Sequence, residues 1–116
     1  MVRNVVRKIW NQPIFQGKLS WRHYFEGWYY KLVDGSEKQI HAFIPGVSLG
    51  GSKDSSEAFI QWLNGISGEY QYFRFDTDDF RPSDKRFEVW VDKNYFSIEK
   101  MILDIDQDGH RLKERV

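Results

Sequence analysis

The sequence predicts an all-β fold built as an antiparallel meander, either a sheet, a sandwich or a barrel. Aromatic residues make up 17% of a chain that is also 29% charged, and aromatic side chains favour strands. Short apolar runs recur every 8–12 residues with turn residues between them. Within the runs the period is two: in Phe87-Glu88-Val89-Trp90-Val91, Phe87, Val89 and Val91 share one face.

The elements follow in order. Residues 1–20 contain Pro13 and Gly17 and little periodicity, and read as an irregular N-terminal arm with one short helical or extended piece over 3–10. Residues 24–33 form the first strong strand. Asp34-Gly35-Ser36 is a turn signal, and 38–44 returns, so 24–44 reads as a hairpin that Pro45-Gly46 ends. Residues 46–55 have loop composition. Strands follow at 57–63 and 69–75, then a polar connection over 76–85. Residues 87–91, 95–98 and 101–105 are strands, Asp106-Gln107-Asp108-Gly109 is a turn, and 110–116 begins one more strand. With 116 residues this is one domain, large enough for a core without staples.

Composition excludes several functions. Without cysteine there is neither a disulfide nor a thiolate metal site. Lys+Arg and Asp+Glu are equal at 17 each, so no basic excess points to nucleic acid. The N-terminus lacks the apolar core of a signal peptide, and no apolar run approaches the ~20 residues of a membrane span. A soluble cytoplasmic protein is expected.

The densest chemistry lies in Tyr24-Phe25-Glu26-Gly27-Trp28-Tyr29-Tyr30-Lys31, with five aromatics in eight residues. On a pleat, Tyr24, Glu26, Trp28, Tyr30 and Leu32 share one side, and Phe25, Gly27, Tyr29, Lys31 and Val33 the other. If the first side faces an interior, desolvation raises the pKa of Glu26 and makes it a general acid. Flanking rings would stabilise a developing cation. The competing reading pairs Glu26 with a cation such as Arg74 across the sheet. Gly27 permits a bulge or lets a neighbouring ring lie across the strand.

Other patterns carry less. His23, His41 and His110 share no ligand spacing. Asp104-Ile105-Asp106-Gln107-Asp108-Gly109 matches the first half of an EF-hand loop, but its twelfth position is Arg115 rather than a bidentate Glu. No metal and no cofactor are expected. Gly50-Gly51-Ser52-Lys53 lacks the spacing of a phosphate loop.

Tyr24 to Val33, Ala42-Phe43-Ile44-Pro45-Gly46-Val47-Ser48, Ala58-Phe59-Ile60-Gln61 and Asn94-Tyr95-Phe96-Ser97 together resemble the tocopherol cyclase family in its bacterial branch. The resemblance spans about Gly17 to Ile105. It implies a lipocalin-like barrel or half-barrel. It also implies a proton donor in an oily cavity, where a prenyl double bond is protonated and a phenol oxygen closes the ring without a redox cofactor. Family members are much longer than this chain, so an incomplete barrel is expected, either as a fragment, as a truncated product or as a self-associating half with open edges. On this reading the protein binds a hydrophobic isoprenoid or lipid-like molecule. Glu26 is the acid, and Trp28, Tyr30, Trp62 and Tyr72 are the cavity walls. If active, it would be an isomerase of the cyclase type. The alternative is a non-catalytic ligand-binding or self-association module whose aromatics are core.

Overall fold

The computed structural model describes residues 5–9, 17, 19, 22–34, 39–98, 100–107 and 109–115, with the backbone alone for 5–9, 34 and 114. The chain forms two antiparallel sheets. The first holds β1 (Val5–Ile9), β2 (His23–Gly27), β3 (Tyr30–Asp34), β4 (Ile40–Gly50), β5 (Glu57–Asn64) and β6 (Tyr70–Phe75). A 3-10 turn over Thr77–Asp79 leads to the second sheet. That sheet holds β7 (Phe80–Pro82), β8 (Glu88–Val91), β9 (Asn94–Ser97), β10 (Met101–Gln107) and β11 (His110–Arg115). Neighbours are consecutive in the chain from β3 to β6 and from β7 to β11, while β1 pairs with β3 and β2 with β4, so the architecture is essentially the expected meander. Among the described residues no ladder joins the two sheets. The barrel is therefore open, and its two halves face each other as layers.

The meander has one irregularity, and Pro45 explains it. β2 and β3 both lie against β4 in a single register, with Gly27 opposite Gly46 and Tyr30 opposite Phe43. Trp28 and Tyr29 between them fall opposite Pro45 and Ile44. The Trp28 amide donates to the Pro45 carbonyl at 2.9 Å, but proline has no N–H to return the bond. One strand is thus interrupted for two residues without slipping.

Two expectations need correction. Pro45-Gly46 does not end its strand, because β4 continues to Gly50 and pairs with β5 from Ser48↔Glu57 to His41↔Asn64. The polar connection over 76–85 contains β7, held to β8 by Phe80↔Val91 and Pro82↔Val89. The short piece expected over 3–10 is the extended of its two alternatives: β1 pairs with β3 from Val5↔Asp34 to Ile9↔Tyr30. The turn expected at 34–36 lies largely outside the described residues.

The core sits between the layers. Trp28, Tyr30, Leu32, Phe43, Ile60 and Phe73 from the first sheet meet Phe80, Val89, Phe96, Met101, Leu103 and Ile105 from the second in one buried cluster. Trp28 lies against Phe80 and Phe87, with ring centroids 6.1 and 5.4 Å apart. Tyr30 reaches across the layers and donates its hydroxyl to the Ser97 carbonyl. That bond gives the phenol a partner at full burial, which a buried Tyr needs.

Asn94 is fully buried and explains the end of the β8–β9 hairpin. Its Nδ2 donates to the Val91 carbonyl at 2.9 Å, and its Oδ1 accepts from the Asp104 amide at 2.6 Å. One side chain thereby closes a two-residue turn, in which Asp92 takes φ 54°, and ties it to β10. Asn94→Leu leaves two backbone groups without those partners. It should cost about 2–4 kcal/mol, read as a lower denaturant midpoint at unchanged slope. A loss below about 0.5 kcal/mol would show that water takes over both bonds.

The half EF-hand pattern is part of a hairpin. Asp104 and Asp106 are β10 residues opposite Lys113 and Arg111 of β11, and Gly109 supplies the positive φ of 78° at the turn. Among the described residues no three His, Asp or Glu are placed to hold a metal ion. No helix among them is long and apolar enough to cross a membrane.

Candidate functional site

The alternation of the Tyr24–Lys31 motif survives the break at Trp28-Tyr29 because the register does. Glu26 lies opposite Val47 and Tyr24 opposite Leu49, so both belong to the core-facing side. Both are half-buried, and the Tyr24 hydroxyl donates to Glu26 Oε1 at 2.5 Å. Bonding to this carboxylate pushes the Tyr24 phenol up to about 12. Arg74, the cation weighed for Glu26, instead holds Glu57, Nε to Oε1 at 3.1 Å.

The four expected wall residues do not line one space. Trp28 and Tyr30 are fully buried core, Trp28 against Phe80 and Phe87 and Tyr30 against Phe87 and Phe96. Trp62 shares their face, since it pairs with Phe43, which pairs with Tyr30. Tyr72 pairs with Gln61, one residue from Trp62, and one residue along a strand reverses the face. Tyr72 therefore stands on the opposite surface of the sheet. Between the layers lies the buried side-chain cluster, and depressions open at the surface. One of about 400 Å³ is lined by Lys53, Asp54, Ser56, Arg74, Phe75 and Asp76.

Trp62 has a defined partner. Its Nε1–H donates to His41 Nδ1 at 3.0 Å, and the two rings stack at 5.8 Å. The bond requires an unprotonated Nδ1, so the His41 proton sits on Nε2. Burial pushes the His41 pKa below its ordinary value of 6.5. The unfolded chain then binds more protons than the folded one as pH falls through 6.5. The contribution is complete above 6.5 and is lost as pH drops toward the lowered folded value. Urea unfolding at pH 7.5 and pH 5 should show a larger acid loss for wild type than for His41→Gln. Equal losses would remove His41 from the pH dependence.

The outer face of the first sheet carries what the interior lacks, an accessible aromatic surface. Phe25, Phe59 and Tyr72 form a continuous stack across β2, β5 and β6, with centroid spacings of 5.4 and 5.5 Å and planes within 16° and 19°. Phe59 is wholly buried in the middle, whereas Phe25 is 63% exposed and Tyr72 39%. Gly46 and Gly27 make the stack possible. A Cβ on Gly46 would come within 2.5 Å of Phe59 Cζ and 2.9 Å of Gly27 Cα, so the ring lies over both glycines, as one reading of Gly27 anticipates. Tyr29, Leu63 and Tyr70 extend the exposed apolar area.

A polar edge borders the stack. The Tyr72 hydroxyl donates to Glu57 Oε2, and the Tyr70 hydroxyl donates to Gln61 Oε1 at 3.1 Å. Burial, then the bond to Glu57, pushes the Tyr72 phenol well above its ordinary range. Among the described residues the second sheet offers no equal surface. Its exposed Trp90 lies tilted against Tyr95 at 4.8 Å and is capped by Arg81 at 5.5 Å.

Neither a family model nor a curated protein nor a solved structure matches this chain. The reading therefore rests on its own residues. Phe25, Phe59 and Glu57 were not candidates from the sequence, and Arg74 was weighed only as a partner for Glu26. Two signals pointed to them: glycines inside apolar strands at 27 and 46, and the alternation Glu57, Phe59, Gln61 on one side of β5.

Proposed function

We propose that this chain is a non-catalytic ligand-binding β module that takes a hydrophobic, isoprenoid or lipid-like molecule on the outer face of its first sheet. The Phe25–Phe59–Tyr72 stack carries this reading. Two exposed rings are fixed in place by a buried third, so little ordering cost remains when an apolar molecule settles on them. Binding of the neutral fluorophore N-phenyl-1-naphthylamine tests it. Phe25→Ser and Tyr72→Ser should each weaken binding by about tenfold while leaving the circular dichroism spectrum unchanged. Unaltered affinity in both variants would sink the reading.

A second reading follows the resemblance to tocopherol cyclases: acid-catalysed ring closure of a prenylated quinol. The half-buried Tyr24–Glu26 pair on the core-facing side favours it, as a carboxyl group within reach of a proton-transfer partner. Turnover of a prenylated quinol that persists in Glu26→Gln would exclude that residue as the acid. Self-association through sheet edges is the remaining part of the module reading. Edge strand β11 carries Arg111, Lys113 and Arg115, charges that discourage edge pairing, so such contact is better sought at β7.

A further inference from the structure

We infer that the ligand of the outer face is a neutral, hydroxyl-bearing amphiphile whose hydroxyl donates to Glu57, in preference to an anionic or cationic one. This rests on the ligand-binding reading and names its class. Glu57 stands at the end of the ring stack, in the same cross-strand row as Phe25, through Phe25↔Ser48 and Ser48↔Glu57. An apolar chain lying along the rings therefore ends at this carboxylate.

The carboxylate is positioned before any ligand arrives. Tyr72 donates to Oε2 and Arg74 Nε lies 3.1 Å from Oε1, with the Glu57 side chain 21% exposed. An ionised carboxylate offers about four lone-pair sites, so two donors leave room for a third. The surrounding charges select its type. Asp54, Asp76 and Asp78 join Glu57 at this end, against Lys53, Arg74 and the neighbouring Arg22. Lys53 is held by Asp78 at 3.3 Å and Asp76 at 4.0 Å, and Arg74 also donates to the Asp54 carbonyl at 3.4 Å. The excess of acid repels an anionic headgroup. A cationic headgroup at Glu57 would meet the Arg74 guanidinium already there. A hydroxyl carries no charge to be repelled and supplies the donor that the carboxylate accepts.

Displacement of N-phenyl-1-naphthylamine by decanol, decanoate and decylammonium, each below its micellar concentration, tests this. Decanol should displace the probe at about tenfold lower concentration than either ion. Glu57→Ala should weaken decanol relative to the probe by a similar factor. Glu57→Gln keeps one acceptor and the fold, so it should retain part of the decanol binding while decanoate gains. Decanoate or decylammonium binding as tightly as decanol to wild type would overturn the inference, as would decanol binding indifferent to Glu57. In either case probe binding would leave the ligand-binding reading intact. Failure of the probe itself to bind would overturn both.

Discussion

Replacing Trp28 with alanine should lower the unfolding free energy by about 3–5 kcal/mol, a large share of the roughly 5–15 kcal/mol that holds a domain of this size. Trp28 is 1% exposed and sits between the layers against Phe80 and Phe87. Phe80 belongs to β7 and Phe87 directly precedes β8, so the indole is a contact through which the first sheet holds the second. Removing it leaves a cavity between two hydrogen-bonded sheets, which collapse into it only in part. A wall residue facing open ligand space would behave otherwise: its truncation would cost little stability and much affinity. Chemical denaturation followed by circular dichroism separates the two. A loss under about 1 kcal/mol would return Trp28 to the role expected from sequence. The fluorophore on the outer face should bind the folded fraction of Trp28→Ala as it binds wild type.

Gly46→Ala should be nearly as damaging for the opposite reason. The added methyl would stand 2.5 Å from Phe59 Cζ and 2.9 Å from Gly27 Cα, and closer still to the Glu26 carbonyl. Two of these three obstacles are backbone of a paired strand, so relief requires β2 to move away from β4. Overpacking costs about 1–3 kcal/mol, and this site belongs at the upper end. The double change Gly46→Ala with Phe59→Ala should recover nothing. It removes one obstacle of three and forfeits the burial of the ring as well. Thermal unfolding of the single variant within a degree or two of wild type would show that the strands part easily here. Because Phe59 holds the exposed rings in place, the same substitution should also weaken the fluorophore. Stability and binding are thus coupled at a residue that touches no ligand.

The strands that were legible in the sequence are those where one face is wet. β8 and β10 alternate cleanly, and their positions agree with the pattern read from polarity to within two residues. Pro45 misled because a proline normally closes a strand. Its missing N–H here points toward β2–β3, where the cost falls on a single ladder bond opposite Trp28. β7 was missed because it is three residues long and polar at Arg81. Phe80 alone anchors it in the core. Tyr72 was placed on the wrong surface because composition cannot say which of two neighbours in an aromatic run, Tyr72 or Phe73, turns inward.

The order of residues alone makes this protein an antiparallel meander, puts Tyr24, Glu26, Trp28 and Tyr30 on one face, and leaves room at Gly27 for a bulge or a ring. Those are local facts, set by a side-chain period of two and by the absence of a Cβ. It took the packing of the two sheets to cover Trp28 and Tyr30 and to leave Phe25 and Tyr72 accessible. That packing also decided that Glu57, rather than Glu26, is the carboxylate beside them. Periodicity sorts residues onto faces, but burial of a face depends on which sheet lies against it, and that is fixed by contacts far apart in the chain.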